Sequence, residues 1–112
     1  MLKDNEIRFS HVNALFALVQ ACDEYNVRIS KIQYMANGFR VEFAGFPCAD
    51  AIAHEGSYGA VKNNYQDSIS DWETIGFPWD GDDVTVHSAR ALAAMIAAIK
   101  NGDNWEKYED LE

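Results

Sequence analysis

The sequence predicts an α+β domain in which two amphipathic helices pack on a small antiparallel sheet, in the order helix, hairpin, one or two strands, helix. Three observations predict it. Apolar residues recur at three- and four-residue steps at Val12, Leu15, Phe16, Val19 and Cys22, and again at Leu92, Met95, Ile96 and Ile99. Between these runs, Asn37-Gly38 separates two segments of alternating polarity. The chain has 112 residues, 48% hydrophobic and 24% charged, which suits a single domain over 1–112 with one real core.

Ser10 is positioned to cap a first helix running from His11 to about Tyr25, with the Val12–Cys22 stripe buried. Asp23 and Glu24 fall at its C-terminus, where the helix dipole disfavours them, and are expected to face solvent. Asn and Gly tolerate the positive φ that a two-residue type I′ turn needs at both central positions. A turn on Asn37-Gly38 pairs Ala36 with Phe39, Tyr34 with Val41 and Ile32 with Phe43 on one face. Gln33, Met35, Arg40 and Glu42 then share the other face. Val27 and Ile29 are out of phase with Ile32, so a bulge or a late strand start is expected before the hairpin.

Asp50-Ala51-Ile52-Ala53-His54 reads as a third strand and Val84-Thr85-Val86 as a short edge strand. The intervening stretch, about 60–83, has no sustained period and reads as a long loop. Ser88 caps a second helix from Ala89 to about Lys100, which Asn101-Gly102 closes. Residues 103–112 form an acidic tail with Trp105 and Tyr108 interleaved.

The charge is lopsided. Asp and Glu number 18 against 9 Lys and Arg, a formal net charge of −9. Residues 1–62 are close to balanced, whereas residues 63–112 carry 11 acids and 3 bases. Direct binding to nucleic acid or to an anionic membrane needs a basic patch, and neither is expected. No apolar run reaches the ~18 residues of a membrane span. Cys22 and Cys48 form no redox or metal-binding pair and read as reduced thiols, which with the polar N-terminus points to the cytoplasm.

No motif commits the chain to catalysis, a metal or another cofactor. His11, His54 and His87 are scattered, and Cys48, Asp50, His54 and Glu55 lack the second ligand pair of a zinc site. Asp80-Gly81-Asp82-Asp83 departs from a calcium loop at its glycine and reads as a turn with solvated carboxylates. Gly56-Ser57-Tyr58-Gly59 lacks the spacing of a nucleophile elbow and reads as a turn that aims Tyr58 into or across the sheet.

The most informative stretch is acidic and aromatic. Asp67, Asp71, Glu73, Asp80, Asp82 and Asp83 occur without an intervening Lys or Arg, and Tyr65, Trp72, Phe77 and Trp79 lie among them. Long loops of this kind are usually functional, and spaced carboxylates attract basic clefts. The expected partner-binding residues are Asp67, Asp71, Trp72, Glu73, Trp79, Asp80, Asp82 and Asp83, with the tryptophans as anchors.

The run Asp50-Ala51-Ile52-Ala53-His54-Glu55-Gly56-Ser57-Tyr58-Gly59, followed by Trp72-Glu73 and a Gly-Asp-Asp-Val turn before the last helix, resembles small acidic phage and prophage accessory proteins of the anti-defence, anti-CRISPR-like kind. The resemblance covers about residues 50–100 and carries over no site. It implies a non-enzymatic inhibitor in the host bacterial cytoplasm. The partner would be a host protein or ribonucleoprotein with a basic nucleic-acid-binding cleft, blocked by nucleic-acid mimicry. Two alternatives stand beside it: a small metal-dependent enzyme or factor built on His54, Glu55 and Asp50, and a phage structural protein. The latter would be a homodimer or larger assembly, formed through the hairpin edge or the Ala-rich second helix.

Overall fold

The first helix, α1, runs from Asp4 to Glu24 in the computed structural model, which describes residues 4–58 and 71–112. It begins earlier than expected, so Ser10 lies inside it and does not cap it. The buried face is also turned from the expected stripe. His11, Ala14, Leu18, Ala21 and Cys22 are buried, whereas Phe16 is 66% and Val19 43% exposed. Apolar residues occupy most of the circumference, so the largest ones do not mark the inner face. The neighbouring helix decides it. This is α2 (Ala89–Lys100), every residue of which from Ala89 to Ala98 is buried except Arg90. Small side chains on both helices allow a close approach, and Ala14 and Ala21 suit it better than Phe16.

The sheet is a five-stranded antiparallel meander in chain order, β1 (Ile29–Met35), β2 (Gly38–Phe43), β3 (Asp50–Ala53), β4 (Trp72–Ile75) and β5 (Thr85–His87). The hairpin forms where expected but two residues out of register. Tyr34 pairs with Phe39 and Ile32 with Val41, so the turn residues are Ala36 (φ 49°) and Asn37 (φ 60°). A shift of two keeps each side chain on its expected face. Gly38 is needed for another reason. A Cβ there would lie 2.2 Å from the Ala53 carbonyl oxygen, so the glycine lets β2 and β3 approach. The expected bulge lies between Ile29 and Lys31.

The strand β4 departs from the expected loop over 60–83, of which residues 60–70 lie outside the described residues. Its four residues are Trp72, Glu73, Thr74 and Ile75, with Trp72 and Thr74 buried and Glu73 and Ile75 on the opposite face. So short a run lacks the length that makes alternation visible in sequence.

Both helices lie on one face of the sheet. The core joins Leu18, Val41, Phe43, Ala51, Ala53, Trp72, Phe77, Leu92 and Ile96. The other face is open and carries a crossed-charge cluster in which Arg40 contacts Glu42 at 2.8 Å and Asp50 at 2.9 Å. Ser88 caps α2 by accepting the Ala91 N–H at 3.1 Å, as expected, and also donates to the Leu111 carbonyl. Among the described residues no helix is long and apolar enough to cross a membrane.

Candidate binding surface

The chain that joins β4 to β5 is a tight structure built around a buried carboxylate. Asp80 is only 5% exposed. Its Oδ2 accepts the Phe77 N–H at 3.0 Å, and its Oδ1 accepts the Thr74 hydroxyl at 2.8 Å and the Thr85 hydroxyl. Trp79 Nε1 donates to the Thr74 hydroxyl oxygen at 3.1 Å, and His87 Nε2 lies 2.6 Å from that of Thr85. The two hydroxyls each donate to Asp80 and each accept from a ring nitrogen, which leaves the acid fully satisfied. The Asp80-Gly81 turn is therefore as expected, but the Asp80 carboxylate is a structural anchor and not a solvated charge.

The expected partner-binding residues divide. Trp72 is 0% exposed and Asp80 is buried, so neither can meet a partner. Their burial has one cause: β4 places Trp72 and Thr74 on the helix-covered face, and the following turn folds Asp80 back on Thr74. Glu73 lies on the open face of the sheet, where its Oε1 accepts the Tyr58 N–H at 3.1 Å. Asp71 lines a groove of about 500 Å³ between α1 and α2 with Gln20, Asp23, Glu24 and Arg90. Asp82 and Asp83 are exposed, and Trp79 is half-buried. Asp67 lies outside the described residues.

A different grouping of acids replaces the expected one. Trp79 stacks on Phe77 with ring centroids 4.6 Å apart, and its ring lies 6.1 Å from that of Trp105. This aromatic contact sets the 76–83 turn against the C-terminal 3-10 segment (Trp105–Tyr108). The contact brings the turn that carries the exposed Asp82 and Asp83 beside the segment that carries the exposed Glu106, with the exposed Glu109 and Asp110 following it. The tail is ordered by Asp103, which accepts from Lys107 Nζ at 3.0 Å and from the Tyr108 hydroxyl at 2.9 Å. The Lys107 hydrogen bond, then the Asn104 N–H and the Tyr108 hydroxyl, pull the Asp103 carboxyl down to about 2. Only the tertiary contact between Trp79 and Trp105 joins the tail to the turn, so the sequence alone shows their acids as separate features.

The residues weighed for a metal or an enzyme are otherwise engaged. Arg40 holds Asp50, the Glu55 carboxylate accepts from Asn37 Nδ2 at 2.7 Å, and His54 Nδ1 lies 2.9 Å from the Glu55 carbonyl oxygen. Among the described residues no three His, Cys, Asp or Glu side chains group to hold a metal ion. Ser57 is buried, with its Oγ accepting the His54 N–H at 3.3 Å, while Tyr58 is 61% exposed, the reverse of the expected inward ring. Cys22 and Cys48 are both free thiols, one buried and one exposed. No family model, curated protein or solved structure matches the chain.

Proposed function

We propose that the protein is a non-enzymatic binding module that uses its acidic end to occupy a basic, nucleic-acid-binding cleft of a host defence complex. The observation that supports this reading is the Trp79–Trp105 contact, which sets the turn bearing Asp82 and Asp83 against the segment that leads into Glu106, Glu109 and Asp110. Five carboxylates held by ordered backbone steer a basic partner, and flat aromatic rings supply contact area at little entropic cost. The chain's resemblance to small acidic phage accessory proteins supports the same partner class, as does the excess of acids over bases in its sequence.

The binding residues in this reading differ from those expected from sequence. Trp79, Asp82 and Asp83 remain, Trp72 and Asp80 serve the core, and the tail acids join. The test uses purified restriction and CRISPR effector complexes loaded with labelled nucleic acid. Added protein releases the label from at least one effector at low salt, and the release weakens steeply as salt rises. Release that is unchanged by salt, or none from any effector, would reject electrostatic occupation of the cleft.

A further inference from the structure

The geometry points to a symmetric dimer of this chain, formed by antiparallel pairing of two β1 edges. This inference does not depend on the proposed function, because it concerns the opposite end of the sheet. Among the described residues β1 has β2 on one side and no strand on the other. In a hairpin closed by a two-residue turn at Ala36 and Asn37, Met35 and Gly38 form a hydrogen-bonded pair, as do Gln33 with Arg40 and Lys31 with Glu42. The backbone groups of Ile32 and Tyr34 therefore point out of the sheet, unpaired within it.

The same two residues carry exposed apolar side chains. Ile32 is 46% and Tyr34 65% exposed, although they stand on the helix-covered face beside Val41 and Phe39. They are exposed because α1 covers β2 and β3 and stops short of β1. On α1, Ala17, Gln20 and Ala21 line the groove shared with α2, so Val19 lies toward the opposite flank, while Phe16, one turn before Gln20, faces away from the sheet. Ile32 and Tyr34, two residues apart on one face of β1, place exposed apolar surface along the open edge.

A second copy fits this edge by register, and its acidic end does not oppose the pairing. Residues 27–36 hold Arg28 and Lys31 and no acid. The acidic end adjoins β5, four strand spacings or about 19 Å away across the sheet, beyond the Debye length at physiological salt. Pairing Ile32 with Tyr34 of a second copy joins the outward backbone groups in hydrogen-bonded pairs. That register puts Gln33 opposite Gln33 on the two-fold axis and Lys31 opposite Met35, so no like charges meet directly. The dimer would carry its two acidic ends at opposite extremes of a ten-stranded sheet.

Light scattering over a dilution series tests this. The expected mass at high concentration is twice the 12.6 kDa of one chain, falling toward one chain on dilution. Ile32→Lys and Tyr34→Lys alter side chains exposed in the single chain, so each should keep the wild-type melt while weakening association at least tenfold. Gln33→Cys in a Cys48→Ser background should form a disulfide-linked dimer in glutathione buffer, because a non-hydrogen-bonded pair on the axis suits that bond. Lys31→Cys in the same background should not. A wild-type mass of one chain throughout, association untouched by both lysine variants, or equal cross-linking at positions 31 and 33 would overturn the proposal. An edge that instead receives a foreign strand appears as the first of these results.

Discussion

His11 shows how one buried side chain sets a pH dependence. It is 0% exposed, its Nδ1 lies 2.9 Å from the Asn37 carbonyl oxygen, and its Nε2 has no hydrogen-bond partner among the described residues. Burial holds the imidazole below its ordinary 6.5; the Asn37 carbonyl opposes this, His54 adds to it and Glu55 opposes it. The folded chain thus binds this proton less readily than the unfolded chain. Its contribution to stability is complete above pH 6.5 and is lost as the pH falls below that value toward the lower folded-state one. Urea midpoints should therefore decline from about pH 7.5 to about pH 5.5, and His11→Gln should flatten the decline. Asp80 gives a second residue-scale expectation. Asp80→Ala leaves two hydroxyls and an amide without their acceptor and should cost about 2–4 kcal/mol in urea denaturation. The cysteines give a third. Burial pushes the Cys22 thiol up to about 12, so a thiol reagent should label only Cys48 in the native protein and both after denaturation.

At the scale of elements, the hairpin separates what sequence displays from what it conceals. Alternation from Ile32 to Phe43 fixes which side chains share a face, and those faces are as expected. Register depends on whether Gly38 serves the turn or the neighbouring strand, and the second need is visible only once Ala53 lies against it. Gly38→Ala should accordingly destabilise by about 2–3 kcal/mol, since backbone and not a flexible side chain occupies the space. Ala36→Gly should stabilise by up to about 1 kcal/mol, because it relieves a left-handed alanine. Thermal melts of the two variants check both signs. The helix α2 was legible throughout, from the Ser88 cap to the Gly102 stop, because capping is local chemistry. The inner face of α1 was not, because it depends on the alanines of a helix some 70 residues later. The candidate surface was half legible for the same reason. Asp82 and Asp83 in a Gly-containing turn are locally determined, whereas the burial of Trp72 and the Trp79–Trp105 contact follow from tertiary packing.

The whole molecule is polar in its charge. Its longest dimension is 43 Å against 25 and 22 Å, and the sheet runs from a sparsely charged β1 edge to the β5 side, where the acidic turn and tail meet. A net charge of −9 spread evenly would mainly oppose association. Five of the 18 acids, Asp82, Asp83, Glu106, Glu109 and Asp110, lie on the turn and tail that meet there, and in the proposed reading they form the docking face. The replacement set that tests this must spare the interior, so Trp72 and Asp80 are left intact. The five-fold variant Asp82→Asn, Asp83→Asn, Glu106→Gln, Glu109→Gln, Asp110→Asn removes only exposed charge and should melt like the wild type. The decisive measurement is the anisotropy of labelled nucleic acid bound to a defence effector, titrated with wild type and with this variant. The account predicts release by the wild type and at least a tenfold weaker effect of the variant. Equal release by the two proteins, at equal stability, would contradict it.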